Sequence, residues 1–183
     1  MSPLVVTTFL ALLVLVAAAG AIGLVVLSVA SRGSEAAASL IDAMRATIGP
    51  AALWLAFLVA LVATLGSLYL SESVGFVPCT LCWYQRIAMY PLVPLLGIAA
   101  VRRDAGIRRY AVPLAAVGGL ISAYHVALQR LPGLPSGSCS LDVPCSAIYV
   151  ERFGFVTIPV MALVGFISIL VILTVLVPRS PQP

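Results

Sequence analysis

The sequence predicts an all-α membrane protein: an antiparallel four-helix transmembrane bundle plus one extra N-terminal transmembrane helix. Three observations carry that expectation. Hydrophobic residues make up 62% of the 183-residue chain and charged residues 9%, against roughly 45–50% and about 25% in soluble domains. The mean hydropathy is +1.18. The few charges cluster between long uncharged stretches. Ten arginines against six acidic residues are too few to clothe a water-soluble globule, and disorder requires the opposite composition. The net charge of +4 therefore reports topology rather than a nucleic-acid ligand.

Crossing about 30 Å of hydrocarbon takes about 20 helical residues. Five stretches qualify: Leu4 to Ala30, Ala46 to Ser71, Cys79 to Val101 (interrupted only by Arg86), Tyr110 to Gln129, and Phe153 to Pro178. The first reads as a span rather than a signal peptide, because no Lys or Arg precedes it and its apolar run is too long. The chain then divides into an extra helix at 1–31, a cytoplasmic linker at 32–49, a four-helix domain at 50–178 and a cytoplasmic tail at 179–183. Within the linker, Leu40, Ile41, Met44 and Ile48 fall at roughly helical spacing. A short interfacial helix and a plain linker fit that segment equally.

Orientation follows from the arginines. Arg102, Arg103, Arg108 and Arg109 crowd one short loop beside a single acid, Asp104, and Arg179 lies in the tail. The positive-inside rule assigns both to the cytoplasm. Five spans then put the N-terminus outside, together with the 130–152 loop, where Arg130 and Arg152 are balanced by Asp142 and Glu151. Trp54, Tyr69, Trp83 and Tyr110 fall at span ends and read as interfacial anchors.

All four cysteines fall on the outer side, where disulfides persist. Cys79 and Cys82 begin the third span, and Cys139 and Cys145 lie in the outer loop. Structural disulfides are one reading, although closing the two-residue gap of Cys79–Cys82 restrains little chain entropy. A zinc site is another, since C-x2-C is a common half-site, but its counterpart is C-x5-C and one half would sit on a membrane helix. Isolated thiols acting as small hydrophobes are a third. Redox chemistry fits best. Pro78 suits a helix start, so Cys79 and Cys82 occupy a first turn whose free N–H groups and positive dipole end favour a thiolate. Arg86, four residues beyond Cys82 on the same face, would favour the thiolate further and stabilise a nearby anion. Its alternative role is that of a snorkelling interfacial arginine.

Depth adds a second argument. Counted outward from Arg102 and Arg109, Arg86 and His125 are each sixteen residues along their helices, and Cys82 and Gln129 are each twenty. At 1.5 Å per residue these are depths of about 24 Å and about 30 Å. Such a level grouping fits a polar pocket for a membrane-soluble ligand, with a satisfied bundle histidine as the alternative for His125. Electrons reaching the outer thiols need an acceptor, yet no cysteine lies on the cytoplasmic side and no haem, flavin or nucleotide signature is present. A lipid quinone fits, with Arg86 stabilising its reduced oxyanion and His125 or water supplying protons.

The run Pro78-Cys79-Thr80-Leu81-Cys82-Trp83-Tyr84-Gln85-Arg86, continuing to Met89-Tyr90-Pro91-Leu92, resembles the DsbB/BdbC family of membrane disulfide oxidoreductases. So does the later run through Cys139, Pro144-Cys145-Ser146 and Phe153-Gly154-Phe155-Val156-Thr157-Ile158-Pro159, and the likeness extends from about Pro50 to Val177. The resemblance implies a bundle that reoxidises an extracytoplasmic thioredoxin-like (DsbA/BdbD-type) thiol oxidase and reduces ubiquinone or menaquinone. It implies that Cys139 meets the partner, Cys145 exchanges with Cys79, Cys82 faces the quinone and Arg86 assists. His125 and Gln129 fall in a stretch, Tyr124 to Gln129, that matches the family's histidine region near the quinone. The short C-x5-C loop departs from the better-known members. Gly133, Gly137, Pro132 and Pro135 give that loop an irregular backbone able to swing toward Cys79.

Four other functions are weighed against this one. A vitamin K epoxide reductase-like enzyme would carry its loop cysteines ahead of the CxxC helix, whereas here Cys79 and Cys82 come first. An importer of cytosolic reductant needs cysteines reachable from inside. A non-enzymatic scaffold with two structural disulfides would show no redox change when quinone is supplied. A transporter lacks an acidic residue within any span to couple ions.

Overall fold

In hydrocarbon a chain must satisfy its own backbone polar groups, so the uncharged stretches fold as helices. The computed structural model describes residues 2–131, 133, 139–140 and 142–177. Among them, five helical stretches are long and apolar enough to cross a membrane. The protein is an all-α, multi-pass membrane protein. Helix α1 (Pro3–Ala30) starts on a proline, whose missing N–H is unneeded in a first turn. Helix α2 (Glu35–Ile48) is capped by Ser34, whose hydroxyl accepts the Ala37 N–H. The segment between the first two expected spans is thus helical. It passes through a 3-10 turn, Gly49–Ala51, into α3 (Ala52–Leu68), which ends in a π-helical turn, Tyr69–Ser73.

The third span is two helices, α4 (Thr80–Met89) and α5 (Leu92–Arg102). They part at Tyr90-Pro91 because Pro91 has no N–H to continue the ladder and its ring crowds the preceding turn. Helix α6 (Arg108–Arg130) carries Pro113 and runs to the outer loop. Phe153 does not begin the last span. Strands β1 (Glu151–Arg152) and β2 (Val156–Thr157) pair antiparallel, Arg152 opposite Val156. Their turn places Phe153 and Gly154 at φ 54° and 75°, the left-handed backbone that tight hairpins use. Helix α7 (Ile158–Val171) follows and continues through a π-helical turn, Ile172–Leu176.

The two ends of the bundle differ in chemistry. At one, Arg103 closes α5 in the left-handed conformation and Asp104 accepts the Gly106 N–H at 2.7 Å. There Arg45 Nε and Arg108 Nη1 donate to the carbonyls of Val175 and Val177, each at 2.9 Å. Cations on terminal carbonyls suit the negative end of a helix dipole. At the other end, Arg152 donates from Nε and Nη2 to Thr7 Oγ1 at 3.1 and 2.7 Å, tying the start of α1 to the hairpin. The exposed Arg130–Glu151 pair at 3.4 Å lies nearby and contributes little to stability. Arg179 and the 179–183 tail lie outside the described residues, as do Pro132, Pro135 and Gly137.

The core is built on Phe166, Leu92, Leu96 and Ile169, all fully buried. Helices α6 and α7 approach closely because Gly118 has no side chain: a Cβ there would overlap the Phe166 ring. Small residues at such crossings are how helices pack where lipid offers no hydrophobic driving force. Helix α6 also packs along α4, which sets His125 beside Gln85.

Candidate active site

Cys79 is the N-cap of α4: its backbone is extended, and its Sγ accepts the Cys82 N–H at 3.3 Å. One helical turn brings Cys82 Sγ to 2.8 Å from Cys79 Sγ. These two are free thiols, whereas Cys139 and Cys145 are joined as a disulfide. The four sulfurs therefore do not converge on a single zinc ion.

The two sulfurs of α4 face different surroundings. Cys79 packs in a buried cluster with Leu81, Leu128 and Cys145, and the half-buried Cys139 lies against it. His125, buried on α6, bridges this cluster. Its Nε2 is 2.9 Å from the Cys145 carbonyl oxygen and 3.8 Å from Cys79 Sγ, and its Nδ1 is 3.1 Å from the Gln85 amide nitrogen. A carbonyl only accepts, so Nε2 carries the hydrogen and Nδ1 accepts from Gln85. Cys79, Cys82 and His125 bring three potential metal-ligand atoms within 4.8 Å of one another. Both nitrogens of His125 are already engaged, which leaves the ring placed for positioning rather than coordination.

Cys82 packs against the same cluster, and it also reaches a second space that Cys79 does not line. It lines a cavity of about 630 Å³ together with Gln85, Arg86, Tyr90 and Ser67. Arg86 donates from Nε to Ser67 Oγ at 3.0 Å and from Nη2 to the Ser67 carbonyl at 3.1 Å. The Tyr90 hydroxyl reaches the same Oγ at 3.3 Å. The Trp83 ring lies 5.1 Å from the Arg86 guanidinium carbon, so this span-end aromatic also covers the cation.

The structure thus brings Cys79, Cys82, His125 and Cys145 together, and Cys82 also lines the cavity that holds Arg86. It does not place His125 or Gln129 on the wall of the large cavity. Both border a small space of about 20 Å³ beside Cys79 and Cys82. Gln129 instead donates to the Ala147 carbonyl at 3.2 Å and accepts from Thr157 Oγ1 at 2.8 Å, anchoring the loop to β2. The reason is rotational: each residue turns a helix by about 100°, so Gln85 and not Arg86 meets α6. Gln85, Ser67 and Tyr90 were not singled out by sequence reasoning. For Gln85 a signal existed, since an uncharged polar side chain inside an apolar span must find a partner there.

The sequence model of the family described as "Disulfide bond formation protein DsbB" matches residues 49–176. The chain belongs to the DsbB family. Among its relatives is "Disulfide bond formation protein C" of Bacillus subtilis (strain 168), 49% identical over 126 residues, which are 68% of this chain and 91% of that one. "Probable disulfide formation protein C 1" of Bacillus cereus is 51% identical over 121 residues, 66% of this chain and 87% of its own. "Probable disulfide formation protein" of Coxiella burnetii is 49% identical over 115 residues, 62% and 78% of the two chains. No solved structure matches. This DsbB-family chain is a membrane disulfide oxidoreductase, and its family match spans α3 to α7, leaving α1 and α2 ahead of it.

Proposed function

We propose that the protein reoxidises an extracytoplasmic thioredoxin-like thiol oxidase and passes the electrons to a lipid quinone. The observation that carries this reading is that the CxxC pair, packed against the loop disulfide, also borders a large cavity through Cys82. Cys79 lies against the loop disulfide, and Cys82 opens on a cavity whose one polar end holds Arg86. The cavity suits a molecule with a polar ring and an apolar tail. A quinone supplies the sink, taking two electrons and two protons for each disulfide made.

The thiol steps balance as exchanges. A partner thiolate attacks Cys139 Sγ, breaking Cys139–Cys145 and releasing the Cys145 thiolate; the partner's second thiolate then frees Cys139 and leaves as a disulfide. Cys145 attacks Cys79 of an oxidised Cys79–Cys82 pair and releases Cys82 as thiolate. Cys139 resolves the Cys145–Cys79 bond, so the loop disulfide re-forms and two electrons rest on the CxxC pair. Cys145, 1% exposed, already shares the Cys79 cluster, and the less buried Cys139 is the better placed for a partner. His125 orients the Cys145 backbone for this exchange, and Arg86 holds negative charge at the acceptor end. The redox cysteines, Arg152 and the start of α1 face the extracytoplasmic side in this reading, with residues 50–178 as the oxidoreductase domain.

The test is quinone reduction by the full chain in lipid with a reduced thioredoxin-like partner. Cys82→Ser is expected to abolish it, and quinone reduction at the wild-type rate in that variant would end the proposal. His125→Phe removes the bond to the Cys145 carbonyl. It should slow loop-to-CxxC transfer about tenfold, the worth of one good hydrogen bond, with the quinone KM unchanged. A changed KM at normal transfer rate would instead place His125 at the acceptor.

A further inference from the structure

Helix α1 precedes the residues matched by the family model, yet it builds one wall of the cavity that holds Cys82 and Arg86. Leu10, Val14, Ala17, Ala21 and Leu24 line it. They recur every three or four residues and, with Leu13, Val16 and Gly20 beside them, form one broad stripe of the helix along the cavity. From Leu10 to Leu24 the stripe is about 21 Å long at 1.5 Å per residue, roughly two-thirds of a 30 Å hydrocarbon core. Leu55 and Val62 of α3 form a facing wall, and Met44 of α2 borders the same cavity. Polar groups gather near Arg86, and the remaining lining is apolar apart from Ser168. A long cavity with one polar end is shaped for a linear hydrocarbon attached to a polar ring.

We infer that α1 completes a channel for the prenyl chain of the quinone, making the acceptor site selective for tail length. This rests on the quinone reading above and is continuous with its polar end at Cys82 and Arg86. Bilayer hydrocarbon is as apolar as the cavity, so transfer of the chain from lipid contributes little affinity. Selectivity comes from shape: the tail threads between α1 and α3 or is excluded.

Gly20 offers a clean probe. It lines the cavity, and a Cβ placed there meets nothing within 4 Å. Gly20→Phe therefore starts its side chain from open space on the cavity wall and adds bulk there. Val16, 71% exposed and on the same wall, allows a second variant, Val16→Trp. Ile22, 64% exposed and not part of the lining, gives a size-matched control, Ile22→Phe.

The experiment measures KM in lipid for two quinones sharing one ring, one with a single prenyl unit and one with a long prenyl chain, using a reduced thioredoxin-like partner. Gly20→Phe and Val16→Trp are expected to raise the long-tail KM about tenfold, the scale of overpacking a filled site. The short-tail KM and the Ile22→Phe control should not change. Equal changes for both tails, or no change in either variant, would overturn the channel while leaving the quinone as acceptor. A wild-type protein that reduces neither quinone would remove the acceptor reading first, and the channel with it.

Discussion

Cys79→Ser is expected to oxidise one equivalent of reduced partner and then stop. The loop disulfide, Cys139–Cys145, remains able to accept one pair of electrons, because its sulfurs are untouched. A serine hydroxyl forms no disulfide, so Cys145 has nowhere to pass them and Cys82 cannot be released as a thiolate. Rapid mixing with reduced partner should show a single burst of thiol oxidation matching the protein concentration. Steady-state quinone reduction should fall to background. Sustained turnover by Cys79→Ser would refute the relay, since it would mean that electrons leave the loop by another route.

Arg86→Gln should separate the two halves of the cycle. Glutamine keeps a hydrogen-bond donor near Ser67 but removes the only positive charge among the described residues that line the large cavity. Loss of one preorganised stabiliser of developing negative charge is worth about a hundredfold in rate. Quinone reduction should therefore drop about a hundredfold in kcat, while single-turnover oxidation of the partner by the loop proceeds normally. That intact burst also reports a folded protein. Under turnover the CxxC pair should accumulate as thiols, which alkylation and mass measurement will show. Arg86→Lys should recover only part of the rate, because an ammonium cannot reproduce the planar fork that reaches both Ser67 oxygens. Wild-type kcat and KM in Arg86→Gln would refute a role for this cation at the acceptor.

The spans were legible because composition alone decides whether a stretch is stable in hydrocarbon, and the charges of this chain, Arg86 apart, fall between the expected spans. The spacing of Leu40, Ile41, Met44 and Ile48 left α2 open between helix and linker; the structure shows a helix, capped by Ser34 and tied by Arg45 to the end of the last span, a long-range contact. Phe153-Gly154 hid a hairpin inside an uncharged run. Hydropathy registers no difference between an apolar strand and an apolar helix, and two residues of positive φ decide between them. At the site, rise per residue groups residues by level, and it is Gln85, next to Arg86, that meets His125. Level without azimuth could not say which of two neighbouring side chains faces α6. That depends on how α4 and α6 cross. Ser67 escaped notice for a related reason: a serine in a span usually bonds its own helix, and only the fold shows Arg86 reaching across to it.

The bond from Arg152 to Thr7 has a practical corollary for anyone labelling the protein. It pins the opening turns of α1 beside the hairpin. In the proposed relay, any reporter or affinity sequence attached ahead of Pro3 emerges on the side of the doorway a thiol partner would use. The opposite end, where Arg45 and Arg108 hold the close of α7, lies a full bundle length away, about 34 Å along the 23 residues of α6. A fusion on that side leaves the doorway clear, and kinetics from the two designs should be compared before either is taken as native.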